Sequence, residues 1–218
     1  MARRNLLGLA LVSVAVLAVA VSASASIIPL TNGNFETDFI AHGYSYTATG
    51  WNGFNLGDAA SGTWDTANGG QAGGNCAAWI TDWHDSPIVS QQLSATYVAG
   101  SVYTFSIDMA LPPAVTYTND GHVGGRLVLG YMNGSSLVTL ASQDVVGTTS
   151  WQNFNVQYTA TAAAAGKQIV VGFGKLENPS WTNSSDFDNA NLEVTAAPEP
   201  ATMSLVVLGG LAMLKRRK

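Results

Sequence analysis

The sequence predicts an all-β protein built as an antiparallel two-sheet β-sandwich, and three observations support this prediction. Apolar residues alternate with polar ones along several short segments between residues 27 and 195, as they do in half-buried strands. Clusters of Gly, Asn, Asp and Pro separate these segments, as turns separate strands. No segment of this region has the apolar period of a helix. About 170 residues with eight or more short strands is the usual size of one sandwich.

The strand predictions follow this alternation along the chain. In the segment from Val102 to Met109, Tyr103, Phe105, Ile107 and Met109 would share one face. The other predicted strands cover 77–83, 88–93, 127–131, 136–141, 154–158, 169–173 and 186–194. Asn133-Gly134 predicts a two-residue hairpin turn. The alanines at 162–165 lie between two strand patterns and are predicted to form a loop.

The charge distribution excludes a nucleic-acid-binding protein. Only Arg126, Lys167 and Lys175 are basic between residues 26 and 200, whereas all 14 acidic residues lie there. Such a surface repels DNA, RNA and anionic membranes, so we expect no nucleic-acid partner. Cys76 is the only cysteine of the chain, which excludes an internal disulfide and a cysteine-based zinc cluster.

Residues 1–25 have the three parts of a secretory signal peptide. Two arginines precede an apolar run over 6–21, and Ala23 and Ala25 fit the small-residue cleavage rule. The mature chain would then begin near Ser26, outside the cytoplasm. The alternative is an uncleaved N-terminal anchor, because the apolar run is nearly long enough to span a membrane.

The segment 196–218 also has three parts, namely Pro198-Glu199-Pro200, an apolar stretch over 201–214 and a basic end. A single helix over the apolar stretch would span about 21 Å, less than the ~30 Å hydrocarbon core. The order of the three parts resembles the PEP-CTERM sorting signal of Gram-negative bacteria, which an exosortase processes. The resemblance implies a secreted cell-surface or biofilm-matrix protein that is anchored in the membrane until it is processed. The alternative is an ordinary tail anchor.

The segment 26–195 between these ends is predicted to be one domain. Its sequence contains, in order, NGNFE (32–36), GW (50–51), VSQQL (89–93), AGSVYTFSIDM (99–109), SWQNFNVQYTAT (150–161) and FDNANLEV (187–194). This order resembles the galactose-binding-like jelly rolls, which include carbohydrate-binding modules. The resemblance implies a jelly-roll sandwich whose first and last strands pair. It implies less about the ligand, because this fold hosts many unrelated functions.

The resemblance also implies a structural calcium ion at Glu36 and Asp188, which match two calcium-binding positions of similar carbohydrate-binding modules. In the last strand, Asp188 shares its parity with Ala190 and Leu192, so Asp188 is predicted to begin the inward-facing series. A carboxylate turned toward a core needs a cation or hydrogen-bond donors to compensate its burial. The alternative is that Asp188 accepts backbone N–H groups and Glu36 is exposed.

Polysaccharide binding is the leading functional prediction. Aromatic rings stack on the apolar faces of sugar rings, and four aromatic residues lie in polar, loop-like surroundings. These candidate sugar-binding residues are Trp64, Trp83, Tyr117 and Trp181. The runner-up is a structural or adhesive matrix component without a defined sugar site.

An enzyme is the third interpretation, so the protein is expected to be non-enzymatic and to have no catalytic residue. Asp186 and Asp188 alternate along one strand, as the two carboxylates of some glycosidases do. This pair is set aside, because Asp188 is already assigned to the calcium ion. The sequence contains no G-x-S-x-G elbow and no H-E-x-x-H motif.

Overall fold

The computed structural model describes residues 24–41, 43–53, 60–65, 74–81, 88–111, 124–176 and 184–197. Within these residues the alternating segments and the turns between them form eleven strands. The strands are β1 (Ala25–Ile28), β2 (Tyr44–Ser45), β3 (Ala60–Asp65), β4 (Cys76–Thr81), β5 (Val89–Thr96), β6 (Val102–Ala110), β7 (Gly124–Asn133), β8 (Ser136–Val146), β9 (Gln152–Thr159), β10 (Gln168–Lys175) and β11 (Ser184–Thr195). A 3₁₀ turn over Glu36–Asp38 is the one helical element of the described residues.

The strands form two sheets. The larger sheet has the order β2-β3-β4-β11-β6-β9, and β1 also pairs with β11. The smaller sheet has the order β5-β10-β7-β8. All pairings between these strands are antiparallel. The prediction of an all-β protein with two antiparallel sheets is therefore confirmed.

The hydrophobic core contains residues from both sheets, an arrangement consistent with a β-sandwich. Phe173 of β10 is at its centre, with ring centroids 4.7 Å from Phe187 of β11 and 5.2 Å from Trp51. Phe35 packs against the same ring at 5.8 Å. Each large side chain that is fully buried contributes about 1.5–3 kcal/mol, so this aromatic cluster helps to hold the two sheets together.

Each of the eight predicted strands overlaps an observed one, from β4 to β11. The hairpin turn between β7 and β8 differs from its prediction by one residue, because Asn133 pairs with Ser136 and the turn is Gly134-Ser135. Gly134 has φ of 63°. Since a glycine adopts this left-handed conformation without a steric penalty, it occupies the first turn position in place of the second.

The chain ends are only partly described. β1 pairs with β11 from Ala25↔Thr195 to Ile28↔Leu192, so the first and last strands of the fold are neighbours. Residues 1–23 and 198–218 lie outside the described residues, as do most of the predicted signal peptide and the whole predicted C-terminal helix. Within the described residues, no helix has the length and apolar character needed to cross a membrane. The domain boundaries 1–25, 26–195 and 196–218 stay predictions.

Candidate functional site

A β-bulge in β11 decides which sheet face its carboxylates occupy. Phe187 lies opposite Met109 and is buried in the core, and the register against β6 shifts between Asp188 and Asn191. The bulge adds one residue to β11, so Leu192 also faces the core although it lies five positions after Phe187. Asp188 is the next residue along the strand after Phe187, so its side chain lies on the sheet face that points away from the core. The prediction that Asp188 begins the inward-facing series is wrong, because an inserted residue reverses the parity.

Asp186 has an unusual environment for a carboxylate. Its exposure is 0%, and in register it lies between Trp79 of β4 and Ala110 of β6. Since cross-strand neighbours share a face, these three side chains lie on the outer face of the larger sheet. Neither carboxylate oxygen of Asp186 has a hydrogen-bond partner among the described residues. Desolvation raises the pKa of Asp186 well above its usual range, which favours the protonated form.

One aromatic residue lies beside this acid, and a second packs against the first. The half-buried Trp79 lies opposite Asp186 in the sheet, and the ring centroids of Trp79 and Tyr46 are 6.3 Å apart. Gly62 of β3 is the other neighbour of Trp79 in register. A Cβ atom on Gly62 would collide with the backbone carbonyl of Ser45, so the glycine allows the chain to cross closely at this point. The result is a buried acid with an aromatic wall beside it.

Asp188 lies two residues further along β11, opposite Asp108 of β6. It is buried, and its Oδ1 accepts a hydrogen bond of 2.7 Å from the backbone N–H of Asn189. Burial raises the pKa of Asp188 to about 7, the Asn189 N–H opposes this shift, and the charges of Glu36 and Asp108 add to it. Asp188 is therefore poised between its two protonation states near neutral pH.

Glu36 lies close enough to Asp188 to influence its ionisation, as the predicted calcium site requires. Its Oε1 accepts backbone N–H groups from Asn75 at 2.6 Å and from Cys76 at 2.9 Å, so Glu36 fixes the start of β4. Among the residues that the structure describes, no group of three or more His, Cys, Asp or Glu side chains is placed to hold a metal ion. The calcium site at Glu36 and Asp188 stays a prediction.

The other predicted site residues are mostly beyond the described part of the chain. Trp83, Tyr117 and Trp181 lie outside it, as does the predicted sorting motif Pro198, Glu199 and Pro200. The backbone of Trp64 lies in β3 opposite Ala77, within a strand and not in the predicted loop. From the sequence, Asp186 is considered only as one carboxylate of a possible glycosidase pair, so its role as a buried acid is not predicted. The available signal was its alternation with Asp188 along the strand, with the apolar Phe187 between them.

Comparison with known proteins identifies the family. The model of the HpiC1-like family, described as HpiC1 cyclase, matches residues 26–193. The chain therefore belongs to the HpiC1-like family. A search of curated protein sequences returned no match.

Solved structures with the same fold include both cyclases and carbohydrate-binding modules. The Stig cyclase Fisc from Fischerella sp. TAU, in complex with (3Z)-3-(1-methyl-2-pyrrolidinylidene)-3H-indole, is 19% identical with a TM-score of 0.64, over 80% of this chain and 100% of that one. A cyclase from the same organism in complex with 4-(1H-indol-3-yl)butan-2-one gives the same values. The CBM22-1–CBM22-2 tandem domain of Paenibacillus barcinonensis Xyn10C is 15% identical with a TM-score of 0.53, over 83% of this chain and 48% of that one. At these identities the likeness shows the fold alone.

The family match corrects the functional predictions made from the sequence. The assignment to PEP-CTERM proteins with a carbohydrate-binding-module-like domain is wrong, because the matching family is that of a cyclase. The predictions of a non-enzymatic polysaccharide-binding protein and of a biofilm-matrix protein are wrong for the same reason. The short sequence motifs indicate a sandwich fold that cyclases and carbohydrate-binding modules share. They do not indicate which function a protein with this fold has. The expected exosortase and polysaccharide partners followed from those resemblances and stay untested.

Proposed function

We propose that this protein is a cyclase that uses Asp186 as a general acid on an apolar, indole-bearing substrate. The single observation that carries this proposal is the environment of Asp186, a fully buried carboxyl group without a hydrogen-bond partner among the described residues. Membership of the HpiC1-like family supports the reaction class. The indole compounds bound by the two Fischerella cyclases support the substrate class.

A carboxyl group acts as an acid only if it still holds its proton at the working pH. An exposed aspartate fails this condition near neutrality, since its ordinary pKa is about 3.9. Burial of Asp186 favours the neutral form, and no described hydrogen-bond donor stabilises the anion. The strand environment thus provides the proton affinity that acid catalysis needs.

The proposed reaction is an isomerisation. Asp186 transfers its proton to one carbon of a substrate double bond, which leaves a carbocation on the other carbon. The π electrons of the indole ring then form a carbon–carbon bond to that cation and close the new ring. A proton lost from the attacked ring carbon returns to the Asp186 carboxylate and restores both the indole and the acid. The product is an isomer of the substrate, and no co-substrate is consumed.

Trp79 is suited to stabilise the cationic intermediate. Its side chain shares the outer sheet face with Asp186, and the partly exposed Tyr46 extends the aromatic wall toward solvent. An aromatic face attracts a cation by roughly 0.5–2 kcal/mol, with the larger values at desolvated sites. We infer that Trp79 lowers the energy of the carbocation after Asp186 has lost its proton.

The test is the Asp186→Asn variant, assayed with a panel of indole-bearing alkenes. Products are detected as species of unchanged mass with a new chromatographic retention time. A general acid contributes about 10²–10⁴-fold, so we expect turnover to fall at least about 100-fold. The fold should persist, because asparagine keeps the shape and removes a buried ionisable group. Asp144→Asn is the matched control, since Asp144 is exposed and paired with Arg126 at 2.6 Å.

Two results would overturn the proposal. One is unchanged turnover in a folded Asp186→Asn variant, which would remove the acid role. The other is a wild-type protein that converts none of the panel and does not bind 4-(1H-indol-3-yl)butan-2-one in calorimetric titrations, which would remove the indole substrate class. A melting curve of each variant distinguishes a chemical defect from a folding defect.

A further inference from the structure

Four Asn-Gly pairs occur in the sequence, and the structure describes three of them, Asn32-Gly33, Asn52-Gly53 and Asn133-Gly134. In such a pair the backbone nitrogen of glycine can attack the side-chain amide of asparagine, because glycine has no Cβ to obstruct the approach. The reaction needs a backbone that can rotate and a side-chain amide that is not held. The three described pairs differ in both respects.

We propose that Asn133 is a site of spontaneous deamidation, whereas Asn32 and Asn52 are protected by the fold. Asn133 is exposed at the end of β7, where it forms the last pair of the hairpin with Ser136. Gly134 follows with φ of 63°, and no neighbouring atom lies within 4 Å of the position that its Cβ would occupy. The tip therefore has room for a cyclic intermediate, and terminal pairs of a hairpin open at little free-energy cost.

Asn32 is fixed on both its side chain and its backbone. Its Oδ1 accepts the backbone N–H of Thr37 at 3.0 Å, and its Nδ2 donates to Asp38 at 3.0 Å. Its backbone carbonyl accepts the N–H of Phe35 and the indole N–H of the buried Trp51. All four hydrogen bonds would have to break or distort before the backbone nitrogen of Gly33 could reach the amide carbon.

Asn52 is held through its backbone. It exchanges two hydrogen bonds of 2.8 Å with Ser90 of β5, and one of them fixes the carbonyl of the Asn52-Gly53 peptide. Gly53 has φ of 103°, and a Cβ at this residue would lie 2.7 Å from the backbone oxygen of Ile88. The peptide therefore lacks the space to rotate into the geometry of attack.

The proposed reaction at Asn133 is balanced without any cofactor. The backbone nitrogen of Gly134 forms a bond to Cγ of Asn133, and the bond from Cγ to Nδ2 breaks to release ammonia, which carries away the amide proton. Water then adds to one of the two carbonyl carbons of the resulting succinimide. One opening gives aspartate, and the other gives isoaspartate, whose side-chain carbon has become part of the backbone.

Isoaspartate would lengthen the main chain by one carbon atom at the hairpin tip. The pair Asn133↔Ser136 could then no longer form with its present geometry, since a two-residue turn fixes the register of the flanking strands. Asp186 lies on the other sheet, so we expect little effect on turnover. The inference is therefore independent of the proposed function.

The experiment is incubation of the purified protein at mildly alkaline pH, followed by peptide mapping with mass spectrometry and labelling by an isoaspartyl methyltransferase. We expect the peptide that contains Asn133 to accumulate aspartate and isoaspartate, while peptides with Asn32 and Asn52 stay unmodified. Asn133→Gln should abolish the modification of its peptide. In urea all three pairs should react at comparable rates, which measures the protection given by the fold.

Two outcomes would contradict the proposal. One is an Asn133 peptide that stays unmodified in the folded protein while it reacts in urea, because the hairpin tip would then protect it. The other is equal modification of all three pairs in the folded protein, because the contacts of Asn32 and Asn52 would then offer no protection. Ser135→Ala serves as a matched variant at the same turn and should still deamidate.

Discussion

Asp186 and Asp188 lie two residues apart on one strand, yet their surroundings give them different proton affinities. Asp188 keeps one backbone donor and has a pKa of about 7, whereas Asp186 has no described partner and a pKa well above its usual range. Two carboxyls with separated pKa values can take different roles at one pH. On this strand, the acid proposed for catalysis is the one that has no hydrogen-bond partner among the described residues.

The first prediction at this scale concerns the pH dependence of turnover. Because Asp186 acts in its protonated form, kcat/KM should stay level at acidic pH and fall as the pH rises through its raised pKa. Asp188 lies two residues away on the same sheet face, and a negative charge there disfavours a second charge on Asp186. Asp188→Asn should therefore move the alkaline limb of the profile to lower pH.

The measurement is kcat/KM across the pH range in which the melting temperature is constant. A limb that rises with pH would show that the essential group is a base and would contradict the acid role. An Asp144→Asn variant should follow the wild-type profile, since its carboxylate is exposed and faces Arg126.

At the scale of elements, the bulge of β11 depends on a turn from the start of the chain. Ala190 donates its backbone N–H to the Gly33 carbonyl at 2.8 Å, and Asn189 has a left-handed φ of 52°. The turn around Gly33 thus supports the extra residue that places Asp186 and Asp188 on the outer sheet face. A contact distant in sequence controls the geometry of the candidate site.

The Gly33→Ala substitution tests this dependence. A Cβ at Gly33 would lie 2.6 Å from the backbone oxygen of Ala190, so the turn and the bulge must separate. Overpacking of this kind costs about 1–3 kcal/mol. We expect a lower melting temperature in thermal unfolding and a reduced kcat. Gly166→Ala is a useful comparison, because its Cβ meets no atom within 4 Å while the φ of 78° is strained for alanine. It should therefore lower stability without lowering kcat.

The predicted calcium ion at Glu36 and Asp188 would link the 3₁₀ turn to the last strand, so its binding would add to the stability of the fold. At free calcium 100 times the dissociation constant, binding would add about 2.7 kcal/mol. A chelator should then lower the melting midpoint by roughly 5–10 °C, and Asp188→Asn should remove most of this response. Identical melting curves with calcium and with chelator would contradict the calcium site and leave Asp188 as a carboxyl that accepts the Asn189 N–H.

At the scale of the whole molecule, the sequence predicted the long strands, because their alternation is local and strong. For β1 only its pairing with the last strand was expected, from the jelly-roll resemblance and without bounds, and β2 and β3 were not predicted, because these strands are short or contain small residues and Gly62. It placed Asp188 on the wrong face, because counting parity assumes an unbroken strand and the bulge inserts a residue. The sequence alone did not predict the function, because the environment of Asp186 arises from neighbours on two other strands.

We propose that the protein is exported, because its N-terminal segment has the three parts of a secretory signal peptide. Cleavage after Ala25 would remove the pair Ala25↔Thr195 and keep the other three pairs of β1, so the fold should tolerate it. N-terminal sequencing of the protein recovered from its native host should find Ser26 first. An intact Met1, or a chain retained in the cytoplasm, would contradict the proposal.

Because β1 pairs with β11, the chain could be circularly permuted. Antiparallel partners have Cα atoms about 4.5–5.5 Å apart, so a few residues could join the strand that begins the fold to the strand that ends it. New termini could then be opened at the exposed turn Gly134-Ser135, where no core side chain is disturbed. Exposed loop tips are the sites where circular permutation usually succeeds. In such a permutant the strand with Asp186 would lie in the interior of the sequence, flanked by chain on both sides.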